Sequence, residues 1–429
     1  MKISRVIFTL LFLCCGLVAK AELTIEIVKG VDQKTRIAVV PFAWDGAGIA
    51  PEQFHQIIGN DLQLSGFFEV IPAQNMLSFP SPGQEINFRD WRILNTDYLL
   101  VGNAGYDGNR LVAGIELYDV PSGRLVFARR IFAGESEGRD VSHRASDLVY
   151  EQISGIAGIA ESRILYVTDT RNEGGAINYR LMLADQDGAR ERMVLESGAP
   201  IMSPAWAPDG ERIAYVSFET GRAAIFIQNI FTGEREQVTD FVGINGAPAF
   251  SPDGRKLALV LSKDGNPEIY LLDLETRGMR RITNHFAIDT EPNWTPGGES
   301  LVFTSDRGGR PQVYEINLQS GRIARLTFRG DYNARPRLSP DGRFLVMVHR
   351  NNGVFHIAVQ DLTDDTFIIV TETSLDESPT ISPNGALVMY ATKQNDRSIL
   401  AAVSLDAGVK YNLPSGSSAD VREPAWSPF

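Results

Sequence analysis

Cysteine is nearly absent: the 429 residues contain two, Cys14 and Cys15, both inside an apolar N-terminal stretch. A disulfide framework is therefore excluded beyond that stretch, and the rest of the chain must be held by its own core. Histidine is almost as scarce. The five, His55, His143, His285, His349 and His356, form no helical i, i+4 pair, so with no cysteine beside them a structural zinc site lacks ligands. Positive charge is also in deficit, with 41 Lys and Arg against 53 Asp and Glu and a formal charge of −12. No basic run occurs, which argues against nucleic acid or anionic lipid as a partner, because counterion release needs clustered cations. Long hydrophobic runs are missing too. The longest, Val6 to Ala19, falls short of the ~18 to 20 residues that cross a bilayer.

What is present begins with an address. Lys2 and Arg5 precede the apolar stretch, and Ala19-Lys20-Ala21 puts small residues where a signal peptidase cuts, so residues 1–21 are expected to be removed and the mature chain to begin near Glu22. A lipid-modified start would need a small residue ahead of the cysteine, and Leu13 before Cys14 does not supply one. A large exported chain without cysteine suits the bacterial periplasm. The 43% hydrophobic and 22% charged residues exclude disorder and predict a full core.

From residue 200 one phrase recurs: Pro204-Ala-Trp206-Ala-Pro-Asp-Gly210, Pro248-Ala-Phe250-Ser-Pro-Asp-Gly254 and Pro292-Asn-Trp294-Thr-Pro-Gly-Gly298. It continues as Pro336-Arg-Leu338-Ser-Pro-Asp-Gly342, Pro379-Thr-Ile381-Ser-Pro-Asn-Gly385 and Pro424-Ala-Trp426-Ser-Pro428. The leading prolines stand 44, 44, 44, 43 and 45 residues apart, the period of four-stranded propeller blades. Six copies predict six blades. Within each repeat, β-branched and aromatic runs such as Lys256 to Ser262 and Ile269 to Leu274 alternate with Gly-rich turns. Residues 163 to 197 supply three strands without the phrase, while residues 421 to 427 supply the phrase with nothing after it. The last strand is thus expected to complete the first blade and close the ring, burying Trp426.

Residues 22–158 read as a mixed α/β domain, and 159–429 as the six-bladed β-propeller closed by the C-terminal strand. Arg36–Phe42, Phe67–Ile71 and Tyr98–Asn103 read as strands, and Leu111–Tyr118 with Leu125–Phe132 as a hairpin around Pro121-Ser-Gly123. Pro51–Leu64 and Asp140–Ile153 read as helices, the second with Asp140 or Ser142 as its cap. Gly155-Ile-Ala-Gly158 is the expected link between the two parts.

Catalytic and cofactor motifs fail on context. Gly134-Glu-Ser136-Glu-Gly138 has the form of a nucleophile elbow, but that elbow needs a hydrolase sheet and a following acid and His, while residues 160–429 are committed to blades. No P-loop or dinucleotide fingerprint is present. Asp209, Asp253 and Asp341 belong to Pro-Asp-Gly turns, where Asp bonds its own backbone and Gly takes positive φ, rather than to calcium sites. Trp206, Trp294 and Trp426 recur at one repeat position, which suits inter-blade packing better than a ligand cage.

In a four-stranded meander the Pro-Asp-Gly turns close one face of the ring, and the loops entering the next blade surround the channel mouth on the other, the default binding face. Those loops hold Glu196, Asp240, Asp289, Glu291, Asp331, Glu372, Asp376, Glu377, Asp420 and Glu423 against Arg329, Arg335 and Arg422. An electronegative mouth is expected, suited to a basic peptide or a divalent cation; no other cofactor is called for.

The cleaved signal, the α/β domain opening at Arg36-Ile-Ala-Val-Val-Pro-Phe42, the six repeats and the terminal Pro-Ala-Trp426-Ser-Pro together resemble the TolB family of the Tol-Pal envelope system of Gram-negative bacteria. The resemblance implies a non-enzymatic periplasmic protein, monomeric when unbound, that binds the peptidoglycan-associated lipoprotein Pal at the propeller mouth. It also implies a link to the inner-membrane Tol proteins, supporting outer-membrane integrity and cell division. By the same resemblance, residues 22–34, with Glu22, Leu23, Ile25 and Ile27, form a regulatory segment that meets TolA; its acidic-apolar pattern, Glu22-Leu-Thr-Ile-Glu-Ile-Val28, suits docking as an edge strand or detachment. Outer-membrane lipoproteins and bacteriocin segments are further partners it implies. The family's Pal-contacting loops align with Asn245, Ala247, Thr290 and Glu291, with Arg335 and Glu377 beside them; Ile244 stands where some members have His. The alternative from a different class is an exported propeller hydrolase or lyase using channel carboxylates such as Glu291 and Glu377 as acid and base.

Overall fold

The computed structural model describes the backbone of residues 25–26 and all atoms of residues 34–172, 174–405, 408–413 and 419–429. The signal peptide and Glu22, Leu23 and Ile27 of the regulatory segment lie outside the described residues.

The α/β part is one sheet with helices on both faces. Its strands are Thr35–Val39, Phe68–Ile71, Tyr98–Asp107, Arg110–Asp119 and Arg124–Gly134, with the short Ala43–Trp44 alongside. Thr35–Val39 runs parallel between Phe68–Ile71 and Tyr98–Asp107, and the three long strands then follow as an antiparallel meander ending at Arg124–Gly134. Helices α1 (Phe54–Leu64) and α3 (Gly138–Ser154) cover one face, where Phe54, Ile58, Leu62, Val141, Ala145 and Val149 bury against Leu100, Leu111, Ala113 and Ile115. The short α2 (Phe88–Ile93), not anticipated from the sequence, covers part of the other face through Trp91 and is capped by Asn87, whose side chain accepts from the Arg89 N–H.

The expected cap of α3 is corrected. Glu137 is the N-cap residue and makes no side-chain cap bond. Asp140 lies in the first turn, where its carboxylate accepts from Arg190 Nη1 and Nη2, and Ser142 Oγ donates back to the Gly138 carbonyl. The Gly134-to-Gly138 phrase is a turn closed by Glu137 on the Gly134 N–H.

Six four-stranded antiparallel sheets follow, each inner strand carrying the Pro-containing phrase. Blade 1 pairs Asp420–Trp426 with Arg163–Arg171, then Ile177–Asp185 and Arg192–Ser197, so the C-terminal strand closes the ring. Blades 2 to 5 begin at Ile201, Asn245, Asp289 and Asn333, and blade 6 at Glu377. Trp426 is buried and donates from its indole to Ser162 Oγ at 2.8 Å; Trp206 and Trp294 donate to the carbonyls of Ala425 and Ala249 on the preceding blade. In each turn the Gly takes positive φ beside the turn proline of the blade before, a backbone conformation that a Cβ disfavours; at Gly254 a Cβ would also come within 3.2 Å of Pro208.

The two parts meet through a buried polar cluster. His143 on α3 lies 2.8 Å from Asp61 on α1 and 3.5 Å from Asp185 of blade 1, while Arg139 and Arg190 pair with Asp185. Leu64 packs with Leu387, Val409 and Tyr411 of blade 6. The backbone of Ile25–Glu26 adds a fifth strand to that blade, pairing antiparallel with Lys410 and Tyr411. For these two residues the edge-strand docking is what the structure contains.

Candidate functional site

One backbone device recurs around the channel. The residue before each repeat proline, Ser203, Ala247, Glu291, Arg335, Ser378 or Glu423, has φ between 46° and 55°, the left-handed region, and the strand register shifts at that point in every blade. Such a conformation costs a non-glycine residue on the order of 1 kcal/mol, and it persists because the ring over-determines it. The bulge aims these six side chains into the axial channel, a cavity of ≈ 500 Å³.

Two of the six are carboxylates, and both answer a backbone need created by the bulge. Glu291 accepts the Arg335 N–H of the next blade at 2.9 Å, and Glu423 accepts the Ser203 N–H. Arg335 then spans the channel: Nε donates to Glu291 Oε1 at 2.9 Å, Nη1 to Ser378 Oγ, and Nη2 lies 3.6 Å from Glu423. Burial works to lower the Arg335 pKa, but the surrounding carboxylates of Glu291, Glu423 and Glu377 outweigh it and hold the pKa above its ordinary value. The guanidinium lies between Glu291 and Glu423 in the channel.

Three residues before four of the six prolines the chain buries a polar clamp, while Ile201 and Val421 hold that position before Pro204 and Pro424. Asn245 is buried, with its amide donating to the Phe241 and Gly243 carbonyls and accepting from the Phe241 N–H, so it shapes the 241–244 loop from inside. Asp289 takes Arg307 in a two-pronged pair, Asn333 donates to the Arg329 carbonyl, and Asp376 receives the hydroxyls of Thr371, Thr373 and Thr392. Ala247 and Thr290 are half-buried on the inner strands of blades 3 and 4, and Glu377 is exposed at the start of blade 6.

The electronegative mouth is corrected by these pairings. Glu196, Asp240, Asp289, Glu291, Asp331 and Glu423 each lie within ion-pair distance of Arg180, Arg222, Arg307, Arg335, Arg350 and Arg335 respectively. Most of these arginines sit on neighbouring strands or middle loops, which chain order alone does not bring to the mouth. Glu372 and Glu377 are the exposed mouth acids without an ion pair among the described residues.

The larger omission is apolar. The loops entering blades 3, 4 and 5 expose Phe241, Val242, Ile244, Phe286, Ile288 and Phe328, with Phe286 88% and Phe328 70% accessible. His285 stacks beside Phe286 at 4.2 Å, and Asn266 Nδ2 donates to the His285 carbonyl, holding that loop in place. The signal was in the sequence, as an aromatic at or near the start of three successive inter-blade loops.

Among the described residues, His143, Asp185 and Asp187 are the His/Asp group spaced for a metal ion, but Arg139 bonds to both acids and Arg190 to Asp185. That cluster is a charge-balanced domain contact, remote from the mouth.

Comparison with known proteins fits this architecture. A model of the TolB amino-terminal domain matches residues 23–126, and one of the TolB beta propeller domain matches residues 150–429. The chain belongs to the TolB family. It is 56% identical to the Tol-Pal system protein TolB of Pseudomonas putida over 431 residues, covering 100% of this chain and 99% of that one. The counterpart in Pseudomonas syringae pv. tomato is 55% identical over 430 residues, with 100% and 99% covered. The crystal structure of TolB from Acinetobacter baumannii is 41% identical, covers 95% of this chain and 100% of that one, and superposes with a TM-score of 0.86. This chain is thus a non-enzymatic component of the Tol-Pal system, and the hydrolase or lyase reading is set aside. No helix among the described residues is long and apolar enough to cross a membrane.

Proposed function

We propose that this TolB-family chain is a periplasmic adaptor whose propeller mouth binds Pal, while residues 22–34 connect it to TolA and the inner-membrane Tol proteins. The role served is outer-membrane integrity and constriction during division. The observation that carries the mouth reading is the apolar arc of Phe241, Ile244, Phe286, Ile288 and Phe328 beside a neutralised polar channel. Exposed aromatics next to satisfied polar groups are the composition of a protein-binding core, where desolvation is cheap and anchors are large. Ala247, Thr290, Glu291, Arg335 and Glu377 line or border that arc, and Asn245 supports it by fixing the 241–244 loop. Ile244, 47% exposed, extends the apolar surface of that arc.

The Ile25–Glu26 pairing with Lys410–Tyr411 supports a segment that docks on blade 6 through backbone pairing at its outer edge and can exchange between docked and free forms. A photo-crosslinking residue replacing Phe286 in cells should capture Pal. The same residue replacing Asp253, on the opposite face, should not; equal capture from both faces would remove the mouth assignment.

A further inference from the structure

The meander of the α/β sheet ends in an unpaired edge. Arg124–Gly134 is 11 residues long, hydrogen-bonded to Arg110–Asp119 on one side, with no strand pairing its other side among the described residues. Its outward carbonyls are identified by what reaches them: Arg129 Nη1 donates to Ala128 O and Arg144 Nη1 to Phe132 O. By the antiparallel alternation, Ala128, Arg130 and Phe132 therefore turn their N–H and C=O groups away from the sheet.

Natural edges are blunted by shortness, proline or charge standing in the path of an incoming strand. This edge has no proline, and its charges fold along it. Arg110 and Arg130 stack on Phe132 at 5.1 and 5.8 Å from the ring centre, and Arg129 on Phe127 at 5.7 Å. Arg124, Arg129 and Arg130 have no carboxylate within 4 Å among the described residues, and Arg110 has Asp107 at 4.0 Å. In a chain with a charge of −12, four guanidiniums around one edge with so little acidic company are a local excess of the opposite sign. The neighbouring sheet face is open as well, forming a concavity of ≈ 480 Å³ with Ala128, Arg129 and Arg130 on the edge side and the carboxylates of Asp45, Asp107 and Glu116 farther in; Asp45 already accepts from Asn103 Nδ2, Glu116 from the Tyr118 hydroxyl, and Asp107 lies 4.0 Å from Arg110.

We propose that the outer edge of Arg124–Gly134 is a strand-addition site for an extended acidic segment of a partner protein, separate from the propeller mouth. An added strand takes the outward N–H and C=O groups of residues 128 to 132. Its alternate side chains stand opposite Arg130 on the open face and Arg129 on the helix side, and at a separation of about 5 Å a carboxylate there is matched and a cation repelled.

The test uses the mature chain and a fluorescein-labelled decapeptide alternating Glu with Val or Thr, followed by anisotropy at low and physiological salt. Saturable binding that weakens with salt is expected, with at least tenfold loss in Arg129→Glu/Arg130→Glu and in Ala128→Pro, which removes one outward N–H. Thermal melts establish that the variants are folded. Phe286→Glu at the mouth should leave this binding unchanged, so failure here and failure of the mouth reading are told apart. No saturable binding, equal binding of the Lys-for-Glu peptide, or unaltered binding by the charge-reversed variant overturns the proposal. So does capture of phosphatidylglycerol vesicles without capture of the peptide, which would make the patch a lipid contact.

Discussion

Arg335 and Glu291 stand one blade apart and are joined twice, through Nε to Oε1 and through the backbone N–H to Oε2, both at 2.9 Å. The side-chain bond bridges the channel, and the backbone bond satisfies an N–H that the pre-proline bulge turns inward. Removing the guanidinium leaves Glu291 and Glu423 facing each other across the channel without their shared cation.

Arg335→Ala should therefore lower stability to urea unfolding by roughly 1 to 3 kcal/mol, less than a fully buried pair because the groups keep some solvent. Arg335→Lys should recover part of the loss, since a single ammonium cannot reach Glu291 and Ser378 as a fork does. An unchanged midpoint in the alanine variant would mean that the pairing is incidental.

Ring closure rests on the last strand, and Trp426 is its largest anchor, buried and bonded to Ser162. Trp426→Ala should cost roughly 3 to 5 kcal/mol. Trp426→Phe should recover most of the packing but not the indole bond. Chemical denaturation measures both, and a loss below about 1 kcal/mol in the alanine variant would contradict a closing role for this residue.

His143 sets a pH dependence on the domain contact. Burial would lower its pKa, but hydrogen bonds with Asp185 and Asp61 outweigh burial and push it up to about 10. A raised histidine gives stability fully present below its unfolded value of about 6.5 and lost as pH climbs through the folded value. Asp185 is opposite: burial raises it, yet His143 and Arg190 hold it down at about 2, so its contribution is lost only as pH falls toward that value. Thermal stability should thus decline between about pH 7 and 10, and His143→Gln should flatten that decline. A decline of equal slope in the variant would assign it elsewhere.

The fold was legible because repetition multiplies weak signals. One Pro-Asp-Gly turn says little, whereas a strand-forming run after each of several such turns, at a fixed spacing, leaves few architectures, and the unmatched phrase around Trp426 gave the closure. The mouth was less legible. Glu291 was named because the family's Pal-contacting loops align with it, and Arg335 as its neighbour at the mouth, but the bulge that aims them inward is a dihedral property shared by residues as different as Ala247 and Glu423. The electronegative mouth failed because Arg180, Arg222 and Arg307 reach their acids across strands, and counting charges along loops cannot see that. Phe286 and Phe328 were visible in the sequence, yet an exposed aromatic reads like a core residue until its surroundings are known. Helix α2 was missed for its shortness.

The central claim is that the apolar arc of blades 3 to 5 receives Pal. Calorimetric titration of the mature chain with the soluble domain of Pal, beside a Phe286→Ser/Phe328→Ser variant whose thermal melt matches the parent, tests it most directly. The expected result is saturable one-to-one binding by the parent and a loss of at least tenfold, or about 1.4 kcal/mol, in the variant. Absence of binding by the folded parent, or binding unaltered by the double substitution, would contradict it.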